Sequence, residues 1–192
     1  DIFVLEVANT ALNFHQLEQA TREYLRFLEL NPSNLYFISN QIKVILQEDA
    51  TLIKQIETKA KAVNAPAIWE LYANARVYLG DYRGALDAFA NLPGTQLYRF
   101  AEEQYAALQD DVALMAYEQL GKTAPDMFRG ADYQLRKAQI HARNARYSEA
   151  KVILDSLFTI PELKTAQNKN RTQANFLGRK LLADVELNLG TD

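Results

Sequence analysis

Apolar side chains recur along this chain at intervals of three and four, the spacing of one face of an α-helix. Ile38, Ile42, Ile45 and Leu46 follow it, as do Ile53, Ile56, Ala60 and Val63. The five prolines, Pro32, Pro66, Pro93, Pro125 and Pro161, fall between amphipathic stretches, where a missing amide proton interrupts no helix. The pattern predicts helices near 2–14, 17–30, 35–47, 50–63, 66–79, 82–92, 95–108, 110–120, 131–144, 147–159 and 171–189. The expected fold class is all-α.

Prolines returning every 27 to 36 residues point to an internal repeat. The alanines sharpen it. Ala8 and Ala20, Ala73 and Ala85, Ala101 and Ala113, and Ala138 and Ala150 are each 12 positions apart. Four residues beyond the second alanine stands a larger side chain, Tyr24, Phe89, Tyr117 or Leu154, one helical turn further along the same face. These features describe a helical hairpin: a small residue on each helix lets the axes approach, and the large one fills the groove beside the contact. Gly80-Asp81-Tyr82 lies where the hairpin must turn. Glycine there can take the left-handed conformation that ends one helix, and aspartate can cap the next. Asn144-Ala145-Arg146-Tyr147 occupies the equivalent place without the glycine.

Trp69-Glu70-Leu71-Tyr72-Ala73, continuing through Gly80-Asp81-Tyr82-Arg83-Gly84-Ala85 to Phe89, resembles the tetratricopeptide repeat, a 34-residue helix–turn–helix unit. Residues 1–34 resemble it too, through Ala8, Ala20, Tyr24 and Leu30-Asn31-Pro32. The resemblance implies an α-solenoid of stacked antiparallel hairpins, about five repeats plus one extra C-terminal helix, wound as a right-handed superhelix in a single domain over 1–192. Residues 35–65 depart from the pattern, with Ile42 and Lys54 at the positions that are small elsewhere and no aromatic after them. The predicted loops at 121–131 and 159–171 are also longer than the family's.

Composition narrows the chemistry. The chain has no cysteine, which excludes disulfides, thiolate metal sites and cysteine nucleophiles and is compatible with either the cytoplasm or export. No apolar run approaches the length needed to span a bilayer. Net charge is −3, divided unevenly: residues 1–121 carry 9 basic and 16 acidic side chains, residues 122–192 carry 12 and 8. The imbalance reads first as ordinary surface charge, the alternative being a dipole that orients a charged partner. The glycines form no phosphate-cradling loop and the serines no nucleophile elbow; His15 and His141, 126 positions apart, belong to no zinc-binding helix. Glu102-Glu103 and Asp110-Asp111 are adjacent pairs whose members diverge on a helix, so they read as solvated, or as a cap before the helix that follows. Lys164, Lys169, Arg171, Arg179 and Lys180 form a basic tract that reads as a polar loop. No enzymatic activity, cofactor, metal or nucleic-acid partner is expected.

In the tetratricopeptide family the first helix of each hairpin lines a concave groove. Carried onto this register, the resemblance assigns a peptide-binding face to Asn9, Asn13, Lys43, Gln47, Glu70, Asn74, Tyr78, Tyr98, Glu102, Tyr105, Gln139 and Arg143. Amides can bond a peptide backbone, and tyrosines offer rigid apolar area with a polar tip. Tyr78, Tyr98 and Tyr105 are therefore candidate anchors, the competing reading being that the rings fill space between hairpins. One family branch grips chaperone C-termini with lysines, asparagines and an arginine; Asn9 and Asn40 fit it, but Leu5 stands where its first lysine belongs and Ala67 and Leu71, at the corresponding later positions, are also uncharged, so that function is not carried over. The expected role is a non-catalytic scaffold binding a peptide, helix or subunit. The alternative is a docking segment of a larger protein whose catalytic part lies outside this chain. Apolar terminal helices, Ile2-Phe3-Val4-Leu5 at one end and Leu181, Leu182, Val185, Leu187 and Leu189 at the other, suit a segment cut from a longer protein or self-association.

Overall fold

The computed structural model describes residues 2–164 and 169–190, apart from the side chains of 163–164 and 169–176. Thr191 and Asp192, and the side chains of Lys164, Lys169 and Arg171 in the basic tract, therefore lie outside the described residues. The described residues form α-helices and two 3-10 turns, with no strand. The chain divides into two compact units, Asp1–Leu97 and Tyr98–Asp192.

The first unit begins with α1 (Ile2–Asn13) packed on α2 (Leu17–Leu30). After the 3-10 turn Pro32–Asn34 come α3 (Leu35–Glu48), the 3-10 turn Ala50–Leu52 and α4 (Ile53–Val63), then the packed pair α5 (Pro66–Tyr78) and α6 (Tyr82–Phe89). Helix α7 (Gly94–Ala106) spans the division. The second unit continues with α8 (Asp110–Lys122), α9 (Met127–Arg143), α10 (Tyr147–Thr159), the single turn α11 (Pro161–Lys164) and α12 (Lys169–Leu189). There α9 packs on α8, α10 and α12. Ala131, Leu135, Ala138, Ala150, Leu154, Leu157 and Val185 make a shared core.

All eight alanines of the 12-residue spacing are fully buried, each at 0% exposure. Tyr24, Tyr117 and Leu154 are also fully buried and Phe89 nearly so. The spacing thus marks close helix contacts flanked by a large filler.

Each of these four hairpins turns in the same way. Five residues before the second alanine stand His15, Gly80, Leu108 and Ala145, with φ of 56°, 75°, 60° and 56°. The next amide reaches back five residues in every case, Gln16 to Ala11, Asp81 to Arg76, Gln109 to Gln104 and Arg146 to His141, all at 2.9 Å. This is the Schellman termination, in which a left-handed residue satisfies carbonyls left open at the helix end. Three of the four positions hold a side chain where glycine would be unstrained.

Residues 35–65 form two helices, but they differ in packing. Ile42 is buried and Lys54 exposed, so no small-on-small contact forms between α3 and α4. Each packs instead against α2 and α5 and against the 3-10 turn between them.

Some boundaries differ from the sequence expectation. Helix α9 starts at Met127 rather than near 131, because the Asp126 carboxylate accepts from the amides of Phe128 at 2.8 Å and Arg129 at 2.9 Å. Helix α6 stops at Phe89 rather than near 92, and the Asn91 side chain donates to the Asp87 carbonyl at 3.0 Å. The predicted loop at 159–171 contains α11, opened by Pro161. On α12, Val185 is buried while Leu187 is exposed.

Candidate protein-binding face

The hairpin contact carries a polar link to the first-helix face. The Tyr24 hydroxyl donates to Asn9 Oδ1 at 2.7 Å, and the Tyr117 hydroxyl donates to Glu102 Oε1 at 2.5 Å. Asn9 and Glu102 each follow the first alanine of their hairpin, and the buried tyrosine reaches them from the second helix. Burial pushes the Tyr24 phenol up; it does so for Tyr117 as well, with the Glu102 carboxylate adding to the effect. Both tyrosines are therefore fixed donors at neutral pH. Phe89 and Leu154 lack the hydroxyl, so Asn74 and Gln139 receive no such bond.

In the second unit the first-helix residues form one connected network. Arg136 on α9 clamps Glu102 on α7 through Nε to Oε1 at 3.0 Å and Nη2 to Oε2 at 2.9 Å. Its Nη1 donates to Gln139 Oε1 at 3.1 Å. The Tyr105 ring lies beneath two guanidinium groups, Arg136 at 4.9 Å and Arg143 at 4.3 Å from its centroid. Arg143 also donates to the Tyr105 carbonyl at 3.2 Å and, with Asn144, to Asp110 at the start of α8. Two-point pairing fixes the guanidinium plane as well as the charge.

Of the twelve residues assigned from sequence, Tyr98, Glu102, Tyr105, Gln139 and Arg143 lie in the second unit and meet in this network. The Tyr98 phenol is pushed up by burial and by the Glu102 carboxylate beside it, and its ring packs on Tyr133, with centroids 5.9 Å apart, while Tyr133 stacks on Tyr117. In the first unit, Asn9 is bound to Tyr24; Glu70 and Asn74 are half-buried; Asn13, Lys43 and Gln47 are exposed. Tyr78 presents 42% of its surface to solvent, so the three candidate anchors stand in different surroundings.

Sequence reasoning missed Arg136, which holds the network together, and the joining roles of Asp110 and Asn144. A signal for them exists. Arg136 follows Glu102 by 34 residues, Arg143 follows Asp110 by 33, Glu48 follows His15 by 33 and Glu186 follows Lys151 by 35. Complementary polar side chains one repeat apart face each other across neighbouring hairpins.

A second arginine anchors the turn of the α5–α6 hairpin. Arg76 lies over the Tyr72 ring at 5.0 Å, donates to its hydroxyl, and pairs with Asp81. Asp81 caps α6 by accepting from the Gly84 amide at 2.9 Å, and this bond, then Arg76, holds its carboxyl below the usual range. The indole of Trp69 donates to Asn64 Oδ1 at 2.9 Å, fixing the left-handed end of α4.

Among the described residues no three His, Asp, Glu or Cys side chains converge to hold a metal ion. His15 pairs with Glu48 at 3.2 Å on the surface, whereas His141 keeps an unpartnered, buried Nδ1 and is held below its ordinary pKa by burial and by Arg146. Among the described residues no helix is long and apolar enough to cross a membrane.

No protein-family model and no curated protein matches the chain. Among solved structures, it is similar to a tetratricopeptide repeat protein from Parabacteroides merdae ATCC 43184, at 15% identity over 98% of this chain and 73% of that one, with a TM-score of 0.38. By its own hairpins, with buried alanines 12 residues apart on either side of a left-handed turn, the chain is tetratricopeptide-like.

Proposed function

We propose that this chain is a non-catalytic scaffold whose first-helix face binds a peptide, a helix or a subunit of another protein. The observation that supports it is the row formed by Glu102, Arg136, Gln139, Tyr105 and Arg143, half-exposed polar groups whose geometry is fixed before any partner arrives. Preset donors and acceptors lose little freedom on binding, which favours affinity. The paired Glu102 and Arg136 offer their remaining lone pairs and N–H groups to a peptide backbone. In the second unit Tyr98 and Tyr105 set the shape of the face; in the first unit, taken by itself, Tyr78 is the ring with exposed area to contribute as an anchor.

The test is affinity capture from the source organism with the immobilised chain, against a variant carrying Lys43→Ala, Gln47→Ala and Tyr78→Ala and another carrying Gln139→Ala. All the substituted side chains lie outside the closed core. The expected outcome is a protein retained by the parent chain and lost from at least one variant whose melting curve is unchanged. Equal capture by both variants would remove the first-helix face from consideration.

A further inference from the structure

Unit one carries a second recessed surface, on its second helices rather than its first. A groove of about 660 Å³ runs between α2 and α4. Its floor is the buried Leu25, and the exposed Ala62, Arg22, Arg26 and Lys54 and the half-buried Lys59 line it as well. It is bridged by Gln55 Nε2 donating to the Glu18 carbonyl at 3.3 Å, and by an ion pair between Lys59 and Glu29. The methylene stems of the basic side chains extend the apolar lining, and their charges stay at the mouth.

Two features of this groove agree on one kind of occupant. Residues 1–121 hold 9 basic side chains against 16 acidic ones, yet four of those nine line the groove, against one acidic side chain, Glu29. Arg22 and Arg26 share one carboxylate, Glu23, at 3.6 and 3.8 Å, and both arginines remain largely exposed. A bare inorganic anion would meet the cations but bring no apolar group for Leu25 and Ala62.

We propose that the α2–α4 groove binds an acidic peptide segment of a partner protein, with carboxylates against Arg22, Arg26 and Lys54 and an apolar side chain on Leu25 and Ala62. The site is independent of the first-helix face.

The experiment is an NMR titration of the full chain with a 12-residue peptide of Asp, Glu, Leu and Ala, alongside the same peptide with Lys in place of each acid. The acidic peptide is expected to shift the amides of α2 and α4 and the side-chain amide of Gln55, and the lysine peptide to leave them unmoved. Arg22→Glu with Lys54→Glu should weaken binding at least tenfold. Ala62→Trp, which keeps every charge and fills the groove, should weaken it as well, and the Lys43, Gln47 and Tyr78 variant should not. Raising the salt should also weaken it, since the cations are exposed. The proposal is overturned if millimolar peptide produces no shifts, if the shifts map elsewhere, or if both groove variants bind as the parent does. It is equally overturned if inorganic phosphate or a 12-nucleotide uridine RNA occupies the groove as tightly as the peptide.

Discussion

His15, Leu108 and Ala145 hold the left-handed conformation that Gly80 takes in the equivalent turn. A side chain there costs on the order of 1 kcal/mol through the approach of Cβ to the backbone. Ala145→Gly and Leu108→Gly remove that strain, partly offset by the freedom glycine gains in the unfolded chain. Each is therefore expected to raise stability by about 0.5 kcal/mol in urea denaturation, and Gly80→Ala to lower it by about 1 kcal/mol. A loss of stability in both glycine variants would contradict the turn geometry. Leu108 is exposed, so its replacement forfeits little packing. Gly80 announces its turn in the sequence, whereas alanine and leucine carry no left-handed signature. Those turns are recognised from their distance to the second alanine.

Helix pairs in this chain follow two packing rules. Where alanines meet, the axes come close and extra volume has nowhere to go, so Ala101→Leu should cost about 1–3 kcal/mol by overpacking. Between α3 and α4 the equivalent positions are Ile42 and Lys54. Ile42→Ala should cost about 2–5 kcal/mol by leaving a cavity, and Lys54→Ala less than about 0.5 kcal/mol, as an exposed substitution. Thermal melts of the three variants check the order, and a costly Lys54→Ala would mean that α4 packs through that face. The helices themselves were legible because their apolar period is local. The start of α9 was not, since it depends on Asp126 accepting two amides, and an aspartate five residues before the expected start reads equally well as part of a loop.

Across hairpins, side chains one repeat apart meet and pair. Glu102 and Arg136 are the best-formed case, two-pointed and about one-third exposed, so their coupling should be about 1 kcal/mol in a double-mutant cycle with Glu102→Gln and Arg136→Gln, and smaller in high salt. A coupling of zero would reduce the network to a surface coincidence. The sequence by itself determined where the helices lie and which alanines close the hairpins, because both follow from periods of a few residues along one chain segment. It also marked the first helices as a candidate binding face. Only the tertiary structure decided how those residues are engaged: Tyr98 against Tyr133, Tyr105 under two arginines, Glu102 held by Tyr117 and Arg136. It alone revealed the basic groove between α2 and α4. These depend on side chains from separate helices whose distances are set by packing, and packing is a property of all the contacts together rather than of any one stretch of sequence.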